Sequence, residues 1–340
     1  MKKLLLTLLG LIFALALAAP AAVGWLAEQR LREWIDEQTG WSLPEWQRGW
    51  LRSSAELAAA DWQARLQFRH TPLSPPGWLE VQGLVRLQDP PMVVDLLGRI
   101  DPALNTELTA YSPVLEFQTQ AVWHIGSPRL ALRRERDGLL RGVLSMNSFV
   151  VADGLGNQLM PFSPEVRFEL HENDGLHNLR ISTQADHSEG GHLELRLALL
   201  NLDPDSAAAL WTQLRALAEA QAAADESGTR LARLGIATAL AQLASQGVYA
   251  ELQLQIEDPV PSESPFGLQA HYDGQQRLWR VQAEGSERLI ADWLVPMIGL
   301  QHALTPAQAA AWLENQLAQL VSAGLLERVD GRVVLDLSAG

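Results

Sequence analysis

Apolar and polar residues alternate along the chain from Trp50 to about Leu202. In the run from Trp62 to Arg69, every second side chain is apolar and its neighbours are Gln or Arg. Such alternation is typical of strands with one buried face and one solvent-facing face. Short turn sequences separate the runs, namely Asp137-Gly138, Asn173-Asp174-Gly175 and Gly190-Gly191. Together these features predict an antiparallel, β-rich region of hairpins over residues 49–202.

The period of the pattern becomes helical after residue 202. Asp203-Pro204-Asp205 predicts a helix start, and leucines follow at helical spacing on both sides of a break at Asp225-Glu226-Ser227-Gly228. Two helices joined by so short a polar loop predict a helical hairpin.

The rest of the chain mixes strands and helices. Alternation resumes over residues 249–256 and continues through a hairpin at Asp273-Gly274. A helix is predicted over about 286–300, interrupted at Pro296, and another from the cap residue Thr305 to Ser322. The last hairpin turns at Asp330-Gly331. Residues 203–340 therefore form a helical hairpin followed by a mixed α/β region.

The N-terminal sequence predicts where in the cell the protein is located. Lys2 and Lys3 precede an apolar run over residues 4–26 that contains no charge and is long enough to span a bilayer as a helix. A cleaved secretory signal is the alternative, although the run continues past its small-residue cut sites to Trp25. Because positive residues stay in the cytoplasm, both interpretations place the body in the periplasm of a bacterium. Residues 1–26 are thus predicted to be a transmembrane signal-anchor in the inner membrane, and residues 27–48 a helical stalk.

The predicted fold class is α+β. It consists of a large, curved antiparallel sheet with packed helices, preceded by one N-terminal transmembrane helix.

Composition excludes some partners. The chain has 340 residues, no cysteine and a formal net charge of −14, which argues against nucleic acid because nucleic-acid binding normally needs a basic patch. The same charge weakens the case for docking flat on anionic lipid headgroups. Twelve tryptophans are a high count, and core or membrane-interface packing explains them better than a ligand platform.

No catalytic, cofactor or metal site is predicted. The histidine pairs His171/His177 and His187/His192 lack the helical spacing of a zinc protease, and with Asp186 and Glu189 they fit the polar decoration of hairpin turns. The chain carries none of the usual nucleophile or phosphate-binding motifs. His70 ends an alternating run, and we expect its imidazole to bond backbone carbonyls.

Short motifs resemble those of the YdgA-like bacterial membrane-anchored proteins of unknown function. They are the stretch over 47–55, His70-Thr71-Pro72-Leu73, the junction over 199–203, and a helix, a glycine and a last strand pair over 323–337. Thr71 stands where that family prefers glycine, and this chain is shorter than the typical member. The resemblance implies a membrane-anchored periplasmic protein that can self-associate, and it implies no known activity.

Three functions remain open, and the first of them needs the fewest special features in the structure. The chain is a non-enzymatic envelope scaffold that binds proteins or itself, a carrier of lipids or other amphiphiles, or an envelope hydrolase. A carrier needs inward positions that stay apolar without a covering helix. A scaffold needs an exposed apolar patch, and a hydrolase needs convergent carboxylates or histidines in a cleft.

The predicted anchor can be tested at its midpoint. We expect Leu11→Arg to disrupt membrane insertion, because a charge at the centre of a spanning helix costs about 2.5–3.5 kcal/mol on insertion scales. Membrane retention after cell fractionation measures this, with Leu11→Ile as the apolar control. Normal retention of the arginine variant would refute the spanning helix.

Overall fold

The computed structural model divides the chain into two compact units. Unit 1 comprises Met1–Phe117 and Ile125–Ser145, and unit 2 comprises Gln118–His124 and Met146–Gly340. The residues that the structure describes are 25, 28–29, 31–33, 42–60, 62–70, 79–88, 91–101, 103, 105–118, 121–187, 191–222, 225–257, 264–276 and 278–339.

Unit 1 contains a sheet of eight strands in which every neighbouring pair is antiparallel. The order in the sheet is the chain order, except that β9 follows β6. These strands are β1 (Ser42–Gln47), β2 (Arg52–Ala58), β3 (Trp62–His70), β4 (Leu79–Gln88), β5 (Pro91–Ile100), β6 (Thr106–Tyr111), β9 (Arg129–Arg134) and β10 (Leu140–Ser145). Two further strands, β7 (Val114–Gln118) and β8 (Ala121–Gly126), contain residues of both units.

The core of unit 1 lies on one face of β2, β3 and β4. The alternation in β3 places Ala64, Leu66 and Phe68 on the buried face, with the intervening Gln and Arg side chains exposed. The ring of Trp46 in β1 lies 5.1 Å from that of Phe68, and Leu31 packs on the same cluster. The predicted alternation over 62–69 is therefore confirmed.

The predicted helical stalk differs from the structure at its end. The described residues between 25 and 33 are helical, whereas residues 42–47 form the strand β1. A helix is unfavourable there because Pro44 lacks an N–H donor, and proline is tolerated in a strand that has only one neighbour. Glu28 and Arg48 form an ion pair, which holds the helical residues next to the start of β2.

In unit 2, nine strands pair side by side in antiparallel fashion. Their order follows the chain up to β17, which pairs with β19, and β18 pairs with the other edge of β19. The strands are β11 (Ser148–Asp153), β12 (Gln158–Asn173), β13 (Leu176–His187), β14 (His192–Leu202), β15 (Tyr249–Glu257), β16 (Phe266–Asp273), β17 (Leu278–Ser286), β18 (Glu327–Val329) and β19 (Arg332–Ala339).

Four helices, in two pairs, interrupt the strand order of unit 2. Their bounds are α1 (Pro204–Ala222), α2 (Glu226–Ser245), α3 (Glu287–His302) and α4 (Pro306–Ser322). Capping side chains explain where they begin, since Asp203 accepts the N–H of Ser206 at 2.9 Å and Asp225 accepts those of Ser227 and Gly228 at 3.0 Å. Thr305 and Gln308 form a capping box at α4. The predicted helical hairpin and the predicted bounds of α4 are confirmed.

The predicted interruption at Pro296 is wrong, because α3 is continuous from Glu287 to His302. Ile290 and Ile298 are both buried, so packing holds the helix together on either side of the proline. The carbonyl that loses its helical partner belongs to Asp292, four residues earlier. Asp292 is exposed, so water can bond that carbonyl.

Each unit contains one loop with the same pattern of hydrogen bonds, made by an aspartate and an asparagine four residues later. Asp101 and Asp153 each accept the N–H of the second and fourth following residues, at 2.8 to 2.9 Å. Each also accepts the side-chain amide of an asparagine four positions on, Asn105 at 2.8 Å and Asn157 at 2.7 Å. In unit 2 the same Asn157 amide donates to the carbonyl of Leu304 at 2.7 Å. This loop therefore connects the β11–β12 turn to the end of α3.

The α+β fold class is confirmed as mostly antiparallel sheet with packed helices. Nearly all of the predicted transmembrane segment lies outside the described residues, with Trp25 the exception. Within the described part of the chain, no helix is both long and apolar enough to cross a membrane.

The contact between Gly299 and Asn157 gives a test of how α3 is held. A Cβ at position 299 would lie 2.0 Å from Asn157 Oδ1, and two hydrogen bonds hold that amide in place. We expect Gly299→Ala to lower the free energy of unfolding by about 1–3 kcal/mol, as overpacking does, measured by urea unfolding. Gly154→Ala is the control, since a Cβ there meets nothing within 4 Å. Equal stabilities of the two variants would contradict this packing.

The Asp153 loop gives a pH test. Hydrogen bonds from the Asn157 side chain and from backbone N–H groups hold the pKa of Asp153 below its ordinary value of 3.8. Its stabilising effect is therefore complete above pH 3.8 and is lost as the pH falls through the lower pKa of the folded state.

We expect Asp153→Asn to lower Tm at neutral pH, and the difference from the native chain to shrink below pH 3.8. Thermal unfolding followed by circular dichroism across this range measures it. Asp330→Asn is the control, because both residues tolerate the positive φ of 52° at that turn. A Tm difference that stays constant with pH would show that the carboxylate charge is not what the loop uses.

Candidate functional site

One face of the unit 2 sheet is apolar across six consecutive strands. The register aligns two rows of side chains on this face, each row with one residue from each of β12 to β17. We name these two rows the apolar strip. The first row is Val166, Thr183, Leu195, Leu254, Leu268 and Ala283, and the second is Phe168, Ile181, Leu197, Leu252, Ala270 and Val281.

Every residue of the apolar strip is half-buried, so solvent reaches all of them. Thr183 is its one polar member. Six strands spaced by about 4.8 Å make the strip roughly 24 Å long, and the two rows are roughly 7 Å apart along the strands. An acyl chain in one bilayer leaflet spans about half of the 30 Å hydrocarbon core. The strip is therefore long enough to hold such a chain lying across the strands.

The two helical pairs of unit 2 pack on this same face, at opposite ends of the strands. Beyond the second row, Leu210 of α1 and Leu243 of α2 pack with Leu179 and Leu199. The hydroxyl of Tyr272 in the same end row donates to the carbonyl of Ala244 at 3.2 Å.

Beyond the first row, the other helical pair covers the sheet. Ile290 of α3 and Leu317 of α4 pack with Phe266, Val333 and Leu335. Their cluster is tied to β18 by Arg328, which bonds Glu287 and Glu314 at 2.8 Å. The apolar strip thus lies between two helical pairs that bury the rows on either side of it.

The opposite face of the unit 2 sheet is polar. An open depression of about 660 Å³ on it is lined by Glu194, Arg196, Glu284 and Arg332, among others. Arg196 pairs with Glu194 at 2.6 Å, and Arg332 pairs with Glu284. Asp336 also lines the depression and pairs with Arg280 at 3.6 Å, so each of these carboxylates has an arginine partner. Surface ion pairs of this kind contribute little stability.

Unit 1 also carries an apolar face. Its register aligns Leu66, Gly83, Leu96, Ala110, Leu130 and Leu144 in one row across six strands. Burial decreases along the next row, from Phe68 at 6% exposed in β3 to Leu108 at 36% in β6. The apolar face is therefore buried near β2 and β3 and open to solvent towards β6.

The histidines and acids considered as metal ligands or catalytic groups do not lie together in one site. His192 Nδ1 lies 2.8 Å from Asp186 Oδ1, His171 and His177 lie opposite Asn178 and Glu172 in the β12–β13 ladder, and the His187 side chain and Glu189 lie outside the described residues. Across the described part of the chain, no three His, Asp or Glu side chains are grouped as metal ligands would be.

His70 is fully buried at the end of β3. Its Nδ1 lies 3.3 Å from the carbonyl oxygen of Trp50, which agrees with the expected bond to a backbone carbonyl. Its backbone N–H donates to the carbonyl of Leu51 at 2.9 Å. Both contacts fasten the end of β3 to the start of β2.

The groups with shifted pKa values lie in turns, helix caps and ion pairs, except for Tyr249 in β15, whose pKa is raised by burial and by the neighbouring Glu251 carboxylate. Backbone and Ser206 hydrogen bonds lower the pKa of Asp203, and those of Gly228 and Ser227 lower that of Asp225. The hydrogen bond from Arg328 lowers the pKa of Glu314. Each shift has a structural cause, and none of these groups lies in the apolar strip.

Sequence reasoning did not single out the apolar strip. Its residues appear in the sequence only as alternating positions of separate strands, for example Leu195 and Leu197 in β14. The register between strands joins these residues into rows, and it depends on pairings up to 59 positions apart, as between Leu195 of β14 and Leu254 of β15. The alternation of leucine over 193–199 and 252–254 was the available signal.

The comparisons with known proteins find no match: no family model, no curated protein and no solved structure is similar to this chain. The resemblance to YdgA-like proteins stays a prediction.

Proposed function

We propose that this chain is a membrane-anchored envelope protein that binds the acyl chain of a lipid or other amphiphile in the apolar strip. The observation that carries the proposal is the strip itself. It is a continuous apolar surface, half-buried and open to solvent, between two helical pairs.

A polar ligand would find few partners there. Thr183 supplies the only side-chain hydroxyl, and the backbone groups of the six strands are used in the sheet ladder. An acyl chain needs no such partners, because its binding comes from removing apolar surface from water, at about 0.8 kcal/mol for each buried CH₂ group. An amphiphile is thus the ligand class that this surface favours.

The proposed cellular location is inferred from the N-terminal sequence. Residues 4–26 cross the inner membrane once, with the N-terminus in the cytoplasm and the body in the periplasm. An anchored body beside the membrane has lipids within reach. The role is binding or transfer, without chemistry on the ligand, since no catalytic motif was found in the sequence.

A scaffold that binds envelope proteins or a second copy of itself is the second candidate. Exposed apolar side chains outside the sheet favour it, among them Met297 at 49% on α3, and Trp211 at 70% and Leu231 at 69% on the α1–α2 hairpin. The apolar strip is larger and continuous, so it favours the carrier.

Crosslinking tests the carrier. The purified full chain is incubated with a phospholipid that bears a photoreactive diazirine in its acyl chain, and adducts are mapped by peptide mass spectrometry. We expect adducts on β12 to β17. Ala270→Asp should reduce them about tenfold or more, because an unpaired charge against an acyl chain costs more than the roughly 1.4 kcal/mol that equals a factor of ten.

Gln269→Asp is the matched control. It adds the same charge one residue away, on the exposed polar face of the same strand. If Ala270→Asp proves unstable, Thr183→Asp tests the same strip at a position that is already polar. Adducts confined to residues 1–26, or equal adducts in all of the variants, would refute acyl-chain binding in the strip.

A further inference from the structure

The solvent-facing part of the unit 1 apolar face carries a line of three residue pairs. They belong to the β6–β9 ladder and are Ala110/Leu130, Leu108/Leu132 and Thr106/Arg134. The first two pairs are apolar, and the third supplies a hydroxyl and a guanidinium. Thr106 and Arg134 are both exposed. Because the Cβ atoms of directly opposite residues are about 4.5–5.5 Å apart, these two polar groups lie side by side at the end of the apolar line.

The guanidinium of Arg134 is isolated from other charges. Along the described strands β5, β6, β9 and β10, it is the one charged side chain on the apolar face. The next residue, Glu135, points to the opposite face, where it pairs with Arg141 at 2.9 Å and Arg133 at 3.8 Å. Asp137 accepts a backbone N–H of its own turn at 3.1 Å. Among the described residues of its face, Arg134 therefore has no carboxylate beside it.

The open apolar surface has the size of one acyl chain. From Leu130 to Arg134 the strand rises by roughly 13 Å, and the three strands β6, β9 and β10 are roughly 10 Å across. One acyl chain in a bilayer leaflet has a similar length, about half of a 30 Å hydrocarbon core. A stable protein partner buries about 800 Å² on each side, which is several times the area of this surface. A small amphiphile therefore fits it better than a protein does.

We infer that unit 1 binds a single-chain amphiphile with an anionic headgroup. The acyl chain lies on Leu108, Leu130 and Leu132, while Arg134 and Thr106 bond the headgroup. A guanidinium matches the oxygens of a carboxylate or a phosphate, and hydrogen bonds between such charged groups are about twice as strong as neutral ones. The headgroup is therefore a carboxylate, as in a fatty acid, or a phosphate ester, as in a lysophospholipid.

This site goes beyond the proposed function, because it lies in unit 1 and selects a headgroup. The apolar strip of unit 2 has Thr183 as its one polar member and contains no charged residue. It therefore offers nothing that distinguishes an anionic amphiphile from a neutral one. The two sites differ in the ligand that they select and can be tested apart.

Probes that differ only in their headgroup test the site. The purified full chain is incubated separately with a fatty acid, a lysophosphatidylglycerol and a neutral monoacylglycerol, each with a photoreactive diazirine in its acyl chain. Adducts are mapped by peptide mass spectrometry. We expect at least one anionic probe to label β6 and β9 about tenfold more than the monoacylglycerol does, and the stronger of the two anionic probes identifies the headgroup as carboxylate or phosphate.

Four variants identify the residues responsible. Arg134→Gln should lower the adducts of the anionic probes on β6 and β9 to the level of the monoacylglycerol, and Arg134→Lys should retain them because it keeps the charge. Arg129→Gln is the matched control, since it removes the same charge from an exposed position on the opposite face of β9. Leu108→Ser should reduce the adducts of every probe, because the acyl chain then buries less apolar surface.

Three results would overturn the inference. They are equal labelling of β6 and β9 by the charged and neutral probes, equal labelling in Arg134→Gln and Arg129→Gln, and a dimer in size-exclusion chromatography that Leu108→Ser converts to a monomer. The last result would identify a second copy of the chain as the occupant of this surface.

The unit 1 site and the proposed function fail separately. Ala270→Asp should remove the adducts on β12 to β17 and leave those on β6 and β9 unchanged. Adducts on unit 1 alone would refute the carrier role of the apolar strip, whereas adducts on unit 2 alone would refute the unit 1 site.

Discussion

An antiparallel sheet that is apolar on one face must cover that face or leave it in contact with water. In unit 2 the cover comes from two helical pairs, and each pair reaches only one end of the strands. The rows that include Leu199 at one end and Phe266 at the other are packed against helices. The rows between them form the apolar strip. The position of the strip is thus a direct result of where the chain inserts its helices into the strand order.

The fold would be more stable if further helices covered the apolar strip. Full burial of one leucine contributes about 1.5–3 kcal/mol, and the strip contains five leucines at half burial. Such a surface adds nothing to stability in water unless something else covers it, because exposed apolar patches promote association. The helices that flank the strip have ordered ends, with Asp225 and Thr305 as caps, so the open middle is not a sign of a poorly specified fold.

The sequence predicts elements well where the signal is local. Alternation in β3, the Asp330-Gly331 turn and the Thr305 cap each depend on a few neighbouring residues, and all three are found in the structure. Features that depend on distant partners were missed. Trp46 belongs to a strand because it packs on Phe68, and α3 passes through Pro296 because Ile290 and Ile298 are buried. The apolar strip is the clearest example, since its rows exist only once the register of six strands is fixed.

The net charge of the chain does not say how its charges are distributed over the surface. The formal charge of −14 argued against anionic lipid when it was considered for the whole chain. Charges act over a screening length of about 8 Å at physiological ionic strength, so a surface responds to its own composition. On the unit 2 sheet, arginines such as Arg167 and Arg196 are neutralised by neighbouring glutamates. The α1–α2 hairpin follows the same pattern, because Glu226 precedes Arg230 by one helical turn and residues 203–245 contain three arginines and five acids.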